Sequence, residues 1–79
     1  MHWKKITEAR YDEMLGILPP IAWTAKGFLV GEAWDHDLTG RPRYAPFVHR
    51  YDGYWEGDTP LTVAEWRAFD PRTIKESIA

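Results

Sequence analysis

Eight residues near the middle of the chain, Gly27-Phe28-Leu29-Val30-Gly31-Glu32-Ala33-Trp34, constrain the fold more than any other stretch. They form its densest apolar run. Phe, Val and Trp favour a pleated, half-buried backbone. Glycine inside a strand marks a turn, a bulge or the close approach of another backbone. The run is expected to be the central strand on which the remainder packs. It carries no reactive group, so it speaks to fold and little to chemistry. Such a strand needs a core around it, and a chain of 79 residues has little to spare, because a domain of that size buries only about 60% of its unfolded surface. There is no cysteine, so disulfides and thiolate zinc sites are excluded as aids. Five Trp, four Tyr and three Phe are left to supply the stability, each removing roughly 150–250 Å² from water when buried. One domain spanning residues 1–79 is expected.

The flanks suggest what packs on the strand. Ile6 to Gly16 reads as a first helix, with Thr7 as N-cap and acids in the first turns. Tyr11, Met14, Leu15 and Leu18 fall on one stripe, and Ile6 can staple onto Tyr11. Gly16 is a candidate stop, and Pro19-Pro20 forbids continuation. Ile21 to Trp34 is strand-like with a bend at Lys26-Gly27, as one bent strand or two short ones. Asp35 to Pro42 is a polar loop. Tyr44 to Tyr51 forms the next strand, and Asp52-Gly53 links it as a hairpin to Tyr54-Trp55-Glu56. Pro46 suggests an edge position or a bulge there. Thr62 and Glu65 spell out a capping box, stapled by Leu61 and Trp66, for a helix reaching about Phe69. Asp70-Pro71 can start a further short turn, and Ile74 and Ile78 allow a terminal helix. The fold class is α+β: a small antiparallel sheet of two to four strands, with an N-terminal and a C-terminal helix packed on one face.

Charge and motifs narrow the function. Net charge is −2, which argues against general binding to nucleic acid phosphates. Residues 31–58 hold six acids (Glu32, Asp35, Asp37, Asp52, Glu56, Asp58) against three bases (Arg41, Arg43, Arg50), a local charge of −3. The N-terminus lacks the apolar stretch of a signal peptide, and no run approaches the ~20 residues of a membrane span. Asp35-His36-Asp37, with Glu32 or His49, is the most metal-like cluster. Neighbouring residues point in different directions, however, and no metal spacing is present, so no metal and no cofactor are expected. His2, His36 and His49 could serve acid–base chemistry. No Ser or Cys sits in a nucleophile motif and the glycines form no phosphate loop, so no catalytic residue is assigned. Tyr44, Phe47, Tyr51, Tyr54 and Trp55 could stack single-stranded nucleic acid beside the three arginines. The favoured reading of these aromatics is half core and half exposed sheet, and exposed Tyr, Trp and Arg also serve as anchors of a protein interface. Spaced carboxylates can also imitate a phosphate track and attract a basic channel on another protein.

Several blocks resemble a family of short proteins of unknown function from plasmids and prophages of alphaproteobacteria. These are Tyr11-Asp12-Glu13-Met14-Leu15 with Leu18-Pro19-Pro20, Gly27-Phe28-Leu29-Val30-Gly31-Glu32 with Trp34-Asp35-His36, Tyr54-Trp55-Glu56-Gly57, and Pro60-Leu61-Thr62-Val63-Ala64-Glu65-Trp66-Arg67. They span most of residues 11–67. Many family members carry Phe where this chain has Trp66 and Pro where it has Ala33. The family brings no established activity and no catalytic residue. In size and character the chain is similar to anti-CRISPR proteins, including inhibitors of type I CRISPR-Cas surveillance complexes. That resemblance implies a monomeric, cytoplasmic, non-enzymatic inhibitor in a bacterial host. Such a protein would bind the crRNA-guided complex (Cascade) and exclude target DNA, with no direct nucleic acid contact and no membrane. The partner-binding residues expected are Glu32, Asp35, Asp37, Asp52, Tyr54, Trp55, Glu56 and Asp58. The other readings are a small nucleic-acid-binding accessory protein and a toxin–antitoxin-type protein-binding module.

Overall fold

The computed structural model describes residues 1–75. Strand β1 (Trp3–Ile6) leads into helix α1 (Glu8–Ile17), where the Thr7 hydroxyl accepts from the Arg10 amide at 3.1 Å as the N-cap. The helix runs through Gly16 and stops at Ile17. Leu18 is extended (φ −134°, ψ 153°), the geometry a following proline imposes. β2 (Ile21–Thr24) and β3 (Gly27–Leu29) pair as a hairpin across Ala25-Lys26. β4 (Asp35–His36) and β5 (Pro42–Arg43) form a separate two-stranded sheet. β6 (Pro46–Arg50) and β7 (Gly53–Gly57) make a second hairpin, followed by α2 (Val63–Ala68) and a 3₁₀ turn at Pro71–Thr73. The main sheet is antiparallel in the order β1-β7-β6-β3-β2.

The α+β class holds, with corrections. The sheet has five strands, more than the two to four expected. The Gly27–Trp34 run supplies only three strand residues, and the middle strand is β6. Pro46 is therefore in neither an edge strand nor a bulge. It is the first residue of the middle strand, where a missing N–H is tolerated. The β6–β7 turn is Tyr51-Asp52, with Arg50 paired to Gly53, one residue earlier than the Asp-Gly pair suggested.

The helices cover opposite faces of the sheet, where one shared face was expected. Consecutive strand residues point to opposite sides, and both sides are apolar here. Phe28 and Phe47 join Tyr11 of α1, flanked by Ile6, Met14, Leu15 and Tyr54. Leu29, Val48, Trp55 and Trp3 join Trp66 and Ile74 on the other side. Phe47 and Val48 are thus sequence neighbours in different cores. Tyr11 is almost wholly enclosed, and burial, helped by Tyr54 and Asp12, pushes its phenol up to about 12.

The second core is closed by α2. Its capping box is complete: the Thr62 amide donates to Glu65 Oε1 at 2.9 Å and the Glu65 amide donates to Thr62 Oγ1 at 3.2 Å. Trp66 is fully buried, and its indole N–H donates to the Ala22 carbonyl at 2.8 Å. Ala22 adopts φ 52° where the β2 register shifts. Lys26, in the β2–β3 turn, donates to the carbonyls of Trp66 (2.5 Å) and Phe69 (2.9 Å) and lies 4.9 Å from the Trp66 ring. A cation is thereby placed on the negative end of the helix. Desolvation lowers the Lys26 pKa, against an opposing pull from Asp70. Ile74 packs in this core. The expected helix continuing to Ile78 lies outside the described residues.

Candidate protein-binding surface

Residues 30–45 leave the main sheet after β3 and return to it at β6, carrying the β4–β5 projection. Asp37 organises its tip. One carboxylate oxygen accepts from the Thr39 amide (2.9 Å), the Thr39 hydroxyl (2.7 Å) and the Arg41 amide (2.9 Å), as an Asx turn does. These bonds, the Thr39 hydroxyl first, hold the Asp37 carboxyl below its usual value. Leu38 at the tip is fully exposed. Asp35 accepts from the His36 amide at 2.7 Å and pairs with Arg43 across the two strands. Both contacts, the amide foremost, lower its pKa.

Trp34 stands at the root of the projection, its amide donating to the Arg43 carbonyl at 2.8 Å, and is 54% exposed. With Met14 of α1, Val30 and Phe47 it lines an open cleft of about 350 Å³. Glu32 lines the cleft too, as do Arg10 and Glu56, which are ion-paired at 3.2 Å.

The expected partner-binding residues therefore divide. Glu32 and Glu56 meet at the cleft, and Asp35 and Asp37 lie on the projection that follows it in the chain. Asp52 and Asp58 flank opposite ends of β7, about 20 Å apart at the usual strand rise. Asp58 accepts from the His2 amide at 2.8 Å, a contact that lowers its pKa more than any other. Tyr54 belongs to the α1 face, 4.7 Å from the Tyr11 ring and stacked on His49 at 4.5 Å. Trp55 is only 1% exposed, so it is core and no surface anchor. The stacking platform also dissolves. Phe47 and Trp55 are buried on opposite faces, while Tyr51 stands 94% exposed at the hairpin turn.

Asp52 serves the fold. Arg50 Nε and Nη2 grip its two oxygens at 2.6 and 2.7 Å, and the Trp55 indole donates to it at 3.2 Å. Arg50 also donates to the carbonyls of Pro71 (2.8 Å) and Ile74 (3.1 Å). The guanidinium, ahead of the other contacts, brings Asp52 down from 3.8 to about 2. A carboxyl lowered on folding stabilises the protein above its unfolded value and loses that contribution as pH falls through the folded one. The melting-temperature gap between wild type and Asp52→Asn should therefore be widest above pH 4 and should shrink between pH 4 and pH 2. Circular dichroism melts across that range measure it. A constant gap would show that the ionised form is not the one the fold favours.

Among the described residues no three His, Asp or Glu gather where they could hold a metal, and no helix is long and apolar enough to cross a membrane. Trp34 was missed as a surface residue because its apolar run reads as strand. The one available signal was the break at Gly31-Glu32. The part that Arg10 and Met14 play in the cleft had no local signal, since α1 and residues 30–34 meet only in the tertiary structure. Comparison with protein-family models, with curated proteins and with solved structures returns no match.

Proposed function

We propose that the protein is a non-enzymatic inhibitor from a mobile genetic element: an anti-CRISPR that docks on a type I crRNA-guided surveillance complex and denies it target DNA. The observation that carries the docking is the junction at Trp34. A half-exposed indole stands beside an apolar cleft, with Glu32 next to it and Asp35 and Asp37 following on the projection. An aromatic anchor within a polar surround is how protein interfaces concentrate binding energy. The target class rests on the family resemblance and on the excess of acids in residues 31–58. A surface built for DNA phosphates presents Lys and Arg, and carboxylates are its complement. Contact centres on residues 30–45. The β6–β7 turn is not its focus, because Asp52 and Trp55 are engaged in the fold.

The test is an electrophoretic shift of target DNA by the purified complex, with inhibitor in excess across a salt series. Wild-type protein should abolish the shift, less effectively as salt screens the charges. Trp34→Ala combined with Glu32→Lys should cost about tenfold or more in potency, the scale of a lost anchor. Reversing Glu8, Asp12 and Glu13 on α1 should change little. Unaltered DNA binding at excess wild-type protein would rule out DNA exclusion, and co-elution without that effect would favour the protein-binding-module reading.

A further inference from the structure

We infer that the Trp34 cleft receives a single arginine side chain from the partner. This rests on the docking role proposed above and specifies its chemistry. At about 350 Å³ the cleft lies at the small end of ligand sites, a size suited to one long side chain. Met14, Val30 and Phe47 offer apolar cover for an aliphatic stem, and Trp34 offers a half-exposed ring. The charge balance there favours a cation. Glu56 is neutralised by Arg10, whereas Glu32 takes part in none of the ion pairs found among the described residues.

Arginine fits better than lysine. Its planar fork can bond a carboxylate through two N–H groups while its face lies on an indole, whereas an ammonium is a compact, strongly hydrated point charge. The same combination is already built elsewhere in this molecule. Arg50 grips Asp52 through two nitrogens at 2.6 and 2.7 Å while its guanidinium carbon sits 5.0 Å from the Trp55 ring. Glu32 and Trp34 both line the cleft and offer it an acid and an exposed indole, and the partner supplies the guanidinium.

The probe is acetyl-Gly-Arg-Gly-amide, titrated into the ¹⁵N-labelled protein and compared with its lysine and citrulline counterparts. Citrulline keeps the planar shape and removes the charge. The Trp34 indole cross-peak should shift saturably with the arginine peptide, while Trp23, also exposed at 65%, stays in place. Citrulline should bind about tenfold more weakly, lysine should fall between, and Glu32→Gln should lose about tenfold for arginine, the scale of one charge-assisted pair. The inference is overturned if no saturable shift appears, if citrulline matches arginine, if Glu32→Gln binds as wild type does, or if Trp23 and Trp34 move together. Inhibition of the surveillance complex with an unresponsive cleft would remove this inference and leave the proposed function standing. Saturable arginine binding without any effect on DNA would do the reverse.

Discussion

Trp66→Ala should bring the chain to the edge of unfolding at room temperature. Emptying a fully buried Trp site costs about 3–5 kcal/mol in lost transfer energy and cavity. The Ala22 carbonyl, which now accepts from the indole at 2.8 Å, would lose its partner, at about 1–3 kcal/mol more. Set against that, 79 residues at roughly 0.05–0.15 kcal/mol each hold a total stability of about 4–12 kcal/mol. The two are of the same size. The ring also stacks on Phe69 at 5.9 Å and lies under the Lys26 ammonium, so its loss loosens the C-terminal cap of α2. Trp66→Phe keeps a ring in place and gives up mainly the indole hydrogen bond, and should cost only about 1–3 kcal/mol. Urea unfolding followed by circular dichroism separates the outcomes. A cooperative, near-wild-type transition for Trp66→Ala would show that the second core does not depend on this side chain.

Gly27→Ala should destabilise the protein by about 2–5 kcal/mol. Gly27 sits at φ +131°, and a Cβ there would lie 2.0 Å from the Phe47 carbonyl oxygen and 2.9 Å from Val48 Cα. Both atoms belong to the backbone of the middle strand, so nothing flexible can give way. Left-handed strain contributes about 1–2 kcal/mol and overpacking about 1–3 kcal/mol. Two other glycines calibrate the result. Gly40 has φ +84° and open space around it, so its alanine variant should show the strain alone. Gly16 lies inside α1 with nothing near its missing Cβ. Gly16→Ala should stabilise by about 0.5–1 kcal/mol through helix propensity and reduced unfolded-state entropy. Gly27→Ala with a denaturation midpoint close to that of Gly40→Ala would mean that the β3–β6 spacing yields to a methyl group.

Local chemistry decided a large part of this fold before any packing. Thr7 and Thr62 cap helices because a short side chain with an oxygen can reach an orphan amide three residues on, whatever the tertiary surroundings. Glu65 completes the box for the same local reason. Pro19 ends α1 through its steric effect on Leu18. Trp66 was legible as core because the staple beside a capping box must face inward.

Sheet order, the assignment of helices to faces and the make-up of the surface were decided only in three dimensions. Phe47-Val48 and Tyr54-Trp55 are consecutive apolar pairs, and a strand that is apolar on successive residues has to be covered on both sides. That pattern was present in the sequence, but nothing in it said which helix takes which face. The long-range pairing of β1 with β7 settles the matter by carrying α1 to the Phe28–Phe47 side. The acids show the same division. Their number is a property of the chain, while their availability depends on partners far away in sequence or hidden until the turns form. Asp52 is engaged by Arg50 and Trp55, Glu56 by Arg10 from α1, and Asp35 by Arg43. Trp34 lies outside the core because β3 ends at Leu29 and Gly31 comes so close to the Pro19 carbonyl that a Cβ would sit 1.9 Å from its oxygen. The chain is turned off the sheet there by a contact between two segments, and such a contact has no counterpart in the local pattern of residues.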